Sequence, residues 1–118
     1  MFWNYIPFRF IDLTQVGYCP FCPLVVKTKL WYFDPKTKIY VVTDLHPRGF
    51  KYRLLAVGSG KYWHRERLDY SQAEVDMLTN ALMKVVREHE KKGIGRLVDI
   101  DYNHLSIPQH YHIQANMR

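Results

Sequence analysis

The apolar positions of the chain fall into two patterns, short strand-like runs and one helical stripe. Leu24 to Phe33 and Lys38 to Thr43 read as strands, and the turn Asp34-Pro35-Lys36-Thr37 between them makes a hairpin. Asp44 to Gly49 is a loop, Tyr52 to Val57 a mostly apolar third strand, and Gly58-Ser59-Gly60 ends it. The stripe follows. Val75, Leu78, Leu82, Val85 and His89 recur at helical spacing, with Val86 beside them. Ser71 and Glu74 form a capping box at its start, and Gly93 suits the position just past its end. Arg87, Lys91 and Lys92 complement the dipole at the C-terminal end. Gly95 to Tyr102 and the closing His-Tyr-His tail supply two more strands. Strands on both sides of one long helix, joined by short connections, predict an α+β domain with an antiparallel sheet.

Period-two alternation in the tail puts His110, His112 and Gln114 on one face, and Tyr111, Ile113 and Ala115 on the other. Three hydrogen-bonding side chains in a row, backed by apolar ones, suggest chemistry. The plain alternative is an edge strand whose polar face meets solvent. Upstream, residues 1–17 form an aromatic extension (Phe2, Trp3, Tyr5, Phe8 and Phe10 among them), a surface that must be buried in the domain or against a second subunit. Gly17 to Pro23 is a turn-rich knuckle around Cys19 and Cys22.

At 118 residues the chain is expected to form a single domain, and its 47% apolar and 24% charged content is ordinary for a globular protein. The net charge of +6 favours an anionic partner, a nucleotide, sugar phosphate or nucleic acid, although the basic residues are dispersed. No apolar run approaches the roughly 18–20 residues of a membrane span, and no secretory pattern opens the chain, so a cytoplasmic location is expected. In that setting two cysteines spaced Cys-x-x-Cys suggest a metal site or redox pair more than a structural disulfide.

A redox pair normally opens a helix, which lowers the first thiol's pKa; the prolines and strand-like run here argue against that. A metal site of four sulfur and nitrogen ligands needs two histidines besides Cys19 and Cys22, and six are available: His46, His64, His89, His104, His110 and His112. Spacing does not choose among them, though His89, on the core-facing stripe, reads rather as a helix-end core residue than as a ligand. A neutral imidazole held in one tautomer can attack a phosphoryl centre, and a glutamine on the same strand face can stabilise charge there but cannot act as an acid. Asp44 is either a turn residue satisfying backbone amides or a carboxylate for ribose hydroxyls.

Cys19-Pro20-Phe21-Cys22-Pro23, Asp44-Leu45-His46-Pro47, the Tyr52–Val57 strand leading to His64, the helix capped by Ser71, and His110-Tyr111-His112-Ile113-Gln114 occur in that order. Together they resemble the histidine-triad (HIT) superfamily over residues 18–117. Glutamine at the third motif position resembles the branch of galactose-1-phosphate uridylyltransferase and diadenosine tetraphosphate phosphorylase. The resemblance implies a HIT-like sheet with one long helix, acting as a nucleotidyl transferase or hydrolase on a nucleotide-sugar or dinucleoside polyphosphate. His112 would be the nucleophile, and Gln114 would hold a phosphate oxygen of a covalent nucleotide intermediate. Main-chain carbonyls of the strand would orient His112. Asp44 would lie near the ribose, and Asn103 or Ser106 would contact the leaving phosphate. Cys19, Cys22, His64 and His110 would be structural zinc ligands, and a homodimer is implied. The segment from Asn103 to Gln109 lacks the glycines usual before this motif, which motivates a second reading, a nucleotide- or nucleic-acid-binding module without turnover. A third is a metal-dependent DNA-nicking endonuclease in which His110 and His112 hold the ion and a tyrosine attacks.

Overall fold

The computed structural model describes residues 19–22, 26–103 and 107–118; the aromatic extension, Pro23, His104 and Ser106 lie outside them. Its elements are β1 (Leu30–Asp34), β2 (Ile39–Thr43), β3 (Tyr52–Gly58), α1 (Gln72–Lys91), β4 (Leu97–Asp101) and β5 (His112–Met117). The strands form one sheet in the order β1-β2-β3-β5-β4, and every neighbouring pair is antiparallel. This is the expected α+β architecture, an antiparallel sheet carrying one long helix.

The helix begins as its sequence dictates. The Ser71 hydroxyl accepts the Glu74 amide at 3.1 Å, and Glu74 Oε1 accepts the Ser71 amide at 2.9 Å, so two otherwise orphaned donors are satisfied reciprocally. At the other end Gly93 takes a φ of 72°, and the amides of Gly93 and Ile94 return to the carbonyls of Glu90 and His89. The stripe of Val75, Leu78, Leu82, Val85 and Val86 is buried against Val41, Leu54, Ala56, Ile113 and Ala115 of the sheet. The opposite face of the sheet carries a second, smaller cluster of Cys19, Phe21, Val42, Leu55 and Val57.

β2, β3 and β4 differ from their expected ranges by a residue or two at an end, and two larger differences have a visible cause. β1 begins at Leu30, and residues 26–29 before it are not strand: there the Thr28 hydroxyl donates to the Thr43 carbonyl, a side chain in place of the ladder, while the expected start at Leu24 lies outside the described residues. β5 begins at His112, because the Tyr111 amide turns away from the sheet to the Arg65 carbonyl at 2.9 Å. The edge-strand reading of the tail is overturned. β5 lies between β3 and β4, and all six of its residues are buried. Burial on both faces leaves its polar side chains to find partners inside the protein. Among the described residues, no helix is long and apolar enough to cross a membrane.

Candidate functional site

The polar side chains of β5 all point to the face opposite α1. The register sets their neighbours: Val57 lies across from His112, Leu55 from Gln114, and Arg53 from Asn116. The site therefore runs along the sheet from the Cys-x-x-Cys knuckle, past His112, to a buried polar network.

At the knuckle end, Cys19, Cys22, His64 and His110 come together, with their ligand atoms all within 4.8 Å of one another. Cys19 Sγ lies 3.3 Å and Cys22 Sγ 3.1 Å from His110 Nδ1, and Cys22 Sγ lies 3.4 Å from His64 Nδ1. These residues could bind a metal ion. A tetrahedral ion with typical bond lengths to sulfur and imidazole nitrogen has S···N edges of about 3.6 Å, so these three S···N pairs would open by only a few tenths of an ångström. The His110 tautomer also fits. Its Nε2–H donates to the Gly58 carbonyl at 2.6 Å, which leaves Nδ1 as the lone pair facing both thiols. Burial, more than any neighbouring charge, drops His110 to about 4, so the ring is neutral near pH 7, the form that ligates.

The fold chooses these two histidines from the six. His64 follows a short 3-10 turn (Lys61–Trp63) whose Trp63 is buried and donates from Nε1 to the Thr37 carbonyl at 2.7 Å. The indole lies flat on Gly58, where a Cβ would fall 2.2 Å from the ring, so only glycine admits this packing. Gly60, with a φ of 99°, turns the chain so that its amide meets the Phe21 carbonyl of the knuckle. His46 stays exposed in its loop, and His89 is a buried core residue whose Nδ1 meets the Tyr52 hydroxyl at 2.6 Å. His104 lies outside the described residues.

His112 has different surroundings from His110. Its Nδ1–H donates to the His110 carbonyl at 3.0 Å, so Nε2 carries the free lone pair. That nitrogen is buried and has no hydrogen-bond partner among the described residues. Phe21 meets the rings of both His110 and His112 edge-on. Burial lowers the His112 pKa, opposed by the His110 carbonyl and by the charges of Asp44 and Asp101. The two histidines thus do not converge on one ion position.

Beyond His112, Gln114 Nε2 donates to Asp44 Oδ2 at 2.9 Å, and the Arg53 guanidinium donates to Gln114 Oε1. Arg53 Nε also donates to Asn116 Oδ1 at 2.7 Å, and Asn116 Nδ2 to Asp99 Oδ1 at 2.7 Å. Asp44 fills the turn role weighed from sequence, since Oδ1 accepts the His46 amide at 3.0 Å, while Oδ2 accepts the Gln114 amide. Asn103 follows β4, is exposed, and donates its main-chain amide to Asp101 Oδ1. Ser106 lies outside the described residues.

Arg53, Asn116 and Asp99 were missed from sequence. Asn116 continues the alternating series of positions 110, 112 and 114, and Arg53 is a lone charge in an apolar strand; both were readable signals. Comparison with protein-family models, with curated proteins and with solved structures returns no match for this chain.

Proposed function

We propose that the protein is a zinc-containing nucleotidyl transferase or hydrolase of the HIT type, working through a covalent His112–nucleotide intermediate. The observation that carries the reading is His112 itself: a buried, neutral imidazole with Nδ1–H pinned by the His110 carbonyl and a free lone pair on Nε2. That is the state a nitrogen nucleophile requires. The ordered motifs supply the substrate class.

In this mechanism Nε2 attacks the α-phosphorus of a nucleotide-sugar or dinucleoside polyphosphate. The P–O bond to the leaving phosphate breaks as the P–N bond forms, and the ring gains positive charge. The His110 carbonyl and the nearby Asp44 carboxylate stabilise that charge. Gln114, tied at Oε1 by Arg53, keeps one amide hydrogen on Asp44 and has a second for a phosphate oxygen. Asp44 retains lone pairs for ribose hydroxyls, while Asn103 or Ser106 takes the leaving phosphate. Water or an acceptor phosphate then attacks phosphorus, the P–N bond breaks, and Nε2 regains its lone pair.

Two thiols and two imidazoles suit zinc over harder cations, and four protein ligands leave no open position, so the ion would be structural. Its contribution is to hold His110, and through the main chain the orienting carbonyl. A second reading, nucleotide binding without turnover, draws on the complete burial of His112, since attack requires Nε2 to be reached.

Intact-protein mass spectrometry separates the two. Wild type and His112→Ala are incubated with UDP-glucose, ADP-glucose, diadenosine tetraphosphate and adenosine phosphoramidate, and metal is counted by native mass. A nucleoside monophosphate adduct on wild type alone, with one zinc on each protein, is the expected result. Nucleotide binding without adduct or turnover would favour the second reading, and neither binding nor turnover would refute both.

A further inference from the structure

One member of the metal group differs from the others. Cys19 and His110 are buried and Cys22 is half-buried, but His64 is exposed and comes from a stretch without regular strand or α-helix. An exposed side chain on irregular backbone loses much freedom when it is fixed beside a thiol. What fixes it stands on either side.

On the N-terminal side is Trp63, seated on Gly58 and bonded to Thr37. On the C-terminal side is Arg65, whose guanidinium is committed on every nitrogen. Nε donates to the Tyr62 carbonyl at 2.9 Å, and Nη1 to the Asp69 carbonyl at 2.8 Å. Nη1 and Nη2 then fork onto Glu74 at 3.3 and 2.7 Å. The group lies between the rings of Tyr62 and Tyr70, at 4.9 and 4.7 Å from their centroids. The Arg65 carbonyl accepts the amide of Tyr111, the neighbour of His110. One residue thus braces the segment that carries His64 and holds the main chain beside His110. Its carboxylate partner is the same Glu74 that caps α1.

We infer that Arg65 is the positioning residue of the metal group: its fork onto Glu74 holds His64 in ligating position and couples retention of the ion to the capped start of α1. The inference rests on the metal part of the proposed function and not on the nucleotide chemistry.

The test is Co2+ titration against a chromophoric chelator, with the visible d–d band recorded, on wild type, Arg65→Ala, Glu74→Gln, the double variant and His64→Ala. Glutamine at position 74 keeps a capping side chain but removes the charge. Loss of a residue that orients a ligand typically costs about 10- to 100-fold in metal affinity. Arg65→Ala should fall in that range with its far-UV circular dichroism unchanged, and its band should weaken toward that of His64→Ala as solvent replaces the imidazole. Glu74→Gln should weaken binding by less, and the double variant should be no worse than Arg65→Ala. A purely structural role would lower the melting temperature and leave the band in its wild-type form. Arg65→Ala binding within about threefold of wild type, with the wild-type band, would overturn the inference. If Arg65→Ala does not fold, Glu74→Gln and Arg65→Lys decide, and wild-type affinity and band in both would overturn it. Wild type taking up no Co2+ would overturn the metal reading and this inference together, a result distinct from wild-type binding that Arg65→Ala leaves untouched.

Discussion

Withholding metal from the Cys19, Cys22, His64 and His110 group is the perturbation that should reach furthest into this structure, because these four candidate ligands connect the knuckle, the His64 segment and the residues just before β5. Binding to the folded state alone stabilises it by about 4.1 kcal/mol when free metal stands a thousandfold above Kd. Unfolding entropy near 2.1 cal/mol/K per residue, over the 118 residues of the chain, comes to about 250 cal/mol/K, so 1 kcal/mol moves the melting temperature by about 4 °C. Chelation should therefore lower the melting temperature by about 16 °C relative to protein with metal at that excess. The effect should also depend on pH. Burial and the adjoining Cys19 thiol push the Cys22 thiol up to about 11, so at neutral pH it is protonated, and ligation must release that proton. His110, at about 4, is already neutral and releases none. Each pH unit downward between about 8 and 6 should then weaken binding at least tenfold, which removes about 1.4 kcal/mol, or about 6 °C, of the metal's stabilisation at fixed metal. Differential scanning calorimetry with chelator and with added zinc, at three pH values, measures both quantities. Coincident melts, within about 2 °C at every pH, would refute the reasoning.

Two further outcomes follow from the polar groups around the site. Arg53→Met strands the Gln114 and Asn116 oxygens and removes the cation 3.7 Å from Asp44. Breaking such a buried set should cost about 3–5 kcal/mol in urea unfolding, and a loss under about 1 kcal/mol would contradict the network's role. Glu74 is held near 2, first by the Arg65 guanidinium and then by the Tyr62 hydroxyl and the Ser71 amide. Its folded pKa is depressed, so its contribution is complete above about pH 4.5 and is lost as pH falls from there toward 2. Glu74→Gln should flatten that acid limb of the stability profile, and an unchanged limb in urea titrations at pH 2.5, 3.5 and 5 would count against the clamp.

The helix was legible nearly to the residue, because a 20-residue stripe, a capping box and a terminal glycine all state the same boundaries. The strands were legible in number and in their succession along the chain, but not at their ends or in their order across the sheet. What stops β1 is a threonine hydroxyl competing for a carbonyl, and what delays β5 is an amide drawn to Arg65; neither contact leaves a trace in local pattern. The alternation of His110, His112 and Gln114 was also readable, since period two requires only a strand. Its burial was not, because the position of β5 between β3 and β4 is a property of strand order. For the same reason the Arg53 network stayed hidden: Arg53 and Asn116 are 63 positions apart and meet only through the register of β3 on β5. His64 likewise could not be separated from the other histidines by spacing to Cys22, because what brings it there is an indole lying on Gly58.

The spacing of two residues between His110 and His112 links the metal group to the proposed nucleophile in a definite way. His110 lies just before β5 and His112 opens it, and the group that could hold an ion takes in His110 but not His112. The link runs instead through the main chain. The His110 imidazole is fixed on both sides, by the Gly58 carbonyl at Nε2 and by the thiols at Nδ1, and this fixes the His110 peptide. The carbonyl of that same residue accepts the His112 Nδ1–H and thereby determines which nitrogen carries the lone pair. An ion at the thiols would therefore act on the proposed chemistry without contacting substrate, by holding still the one acceptor that selects the His112 tautomer. A substitution that loosens the ligands while sparing His112 should disturb the protonation pattern of the imidazole before it disturbs the sheet, because β5 keeps its ladder to β3 from residue 112 and to β4 from residue 114.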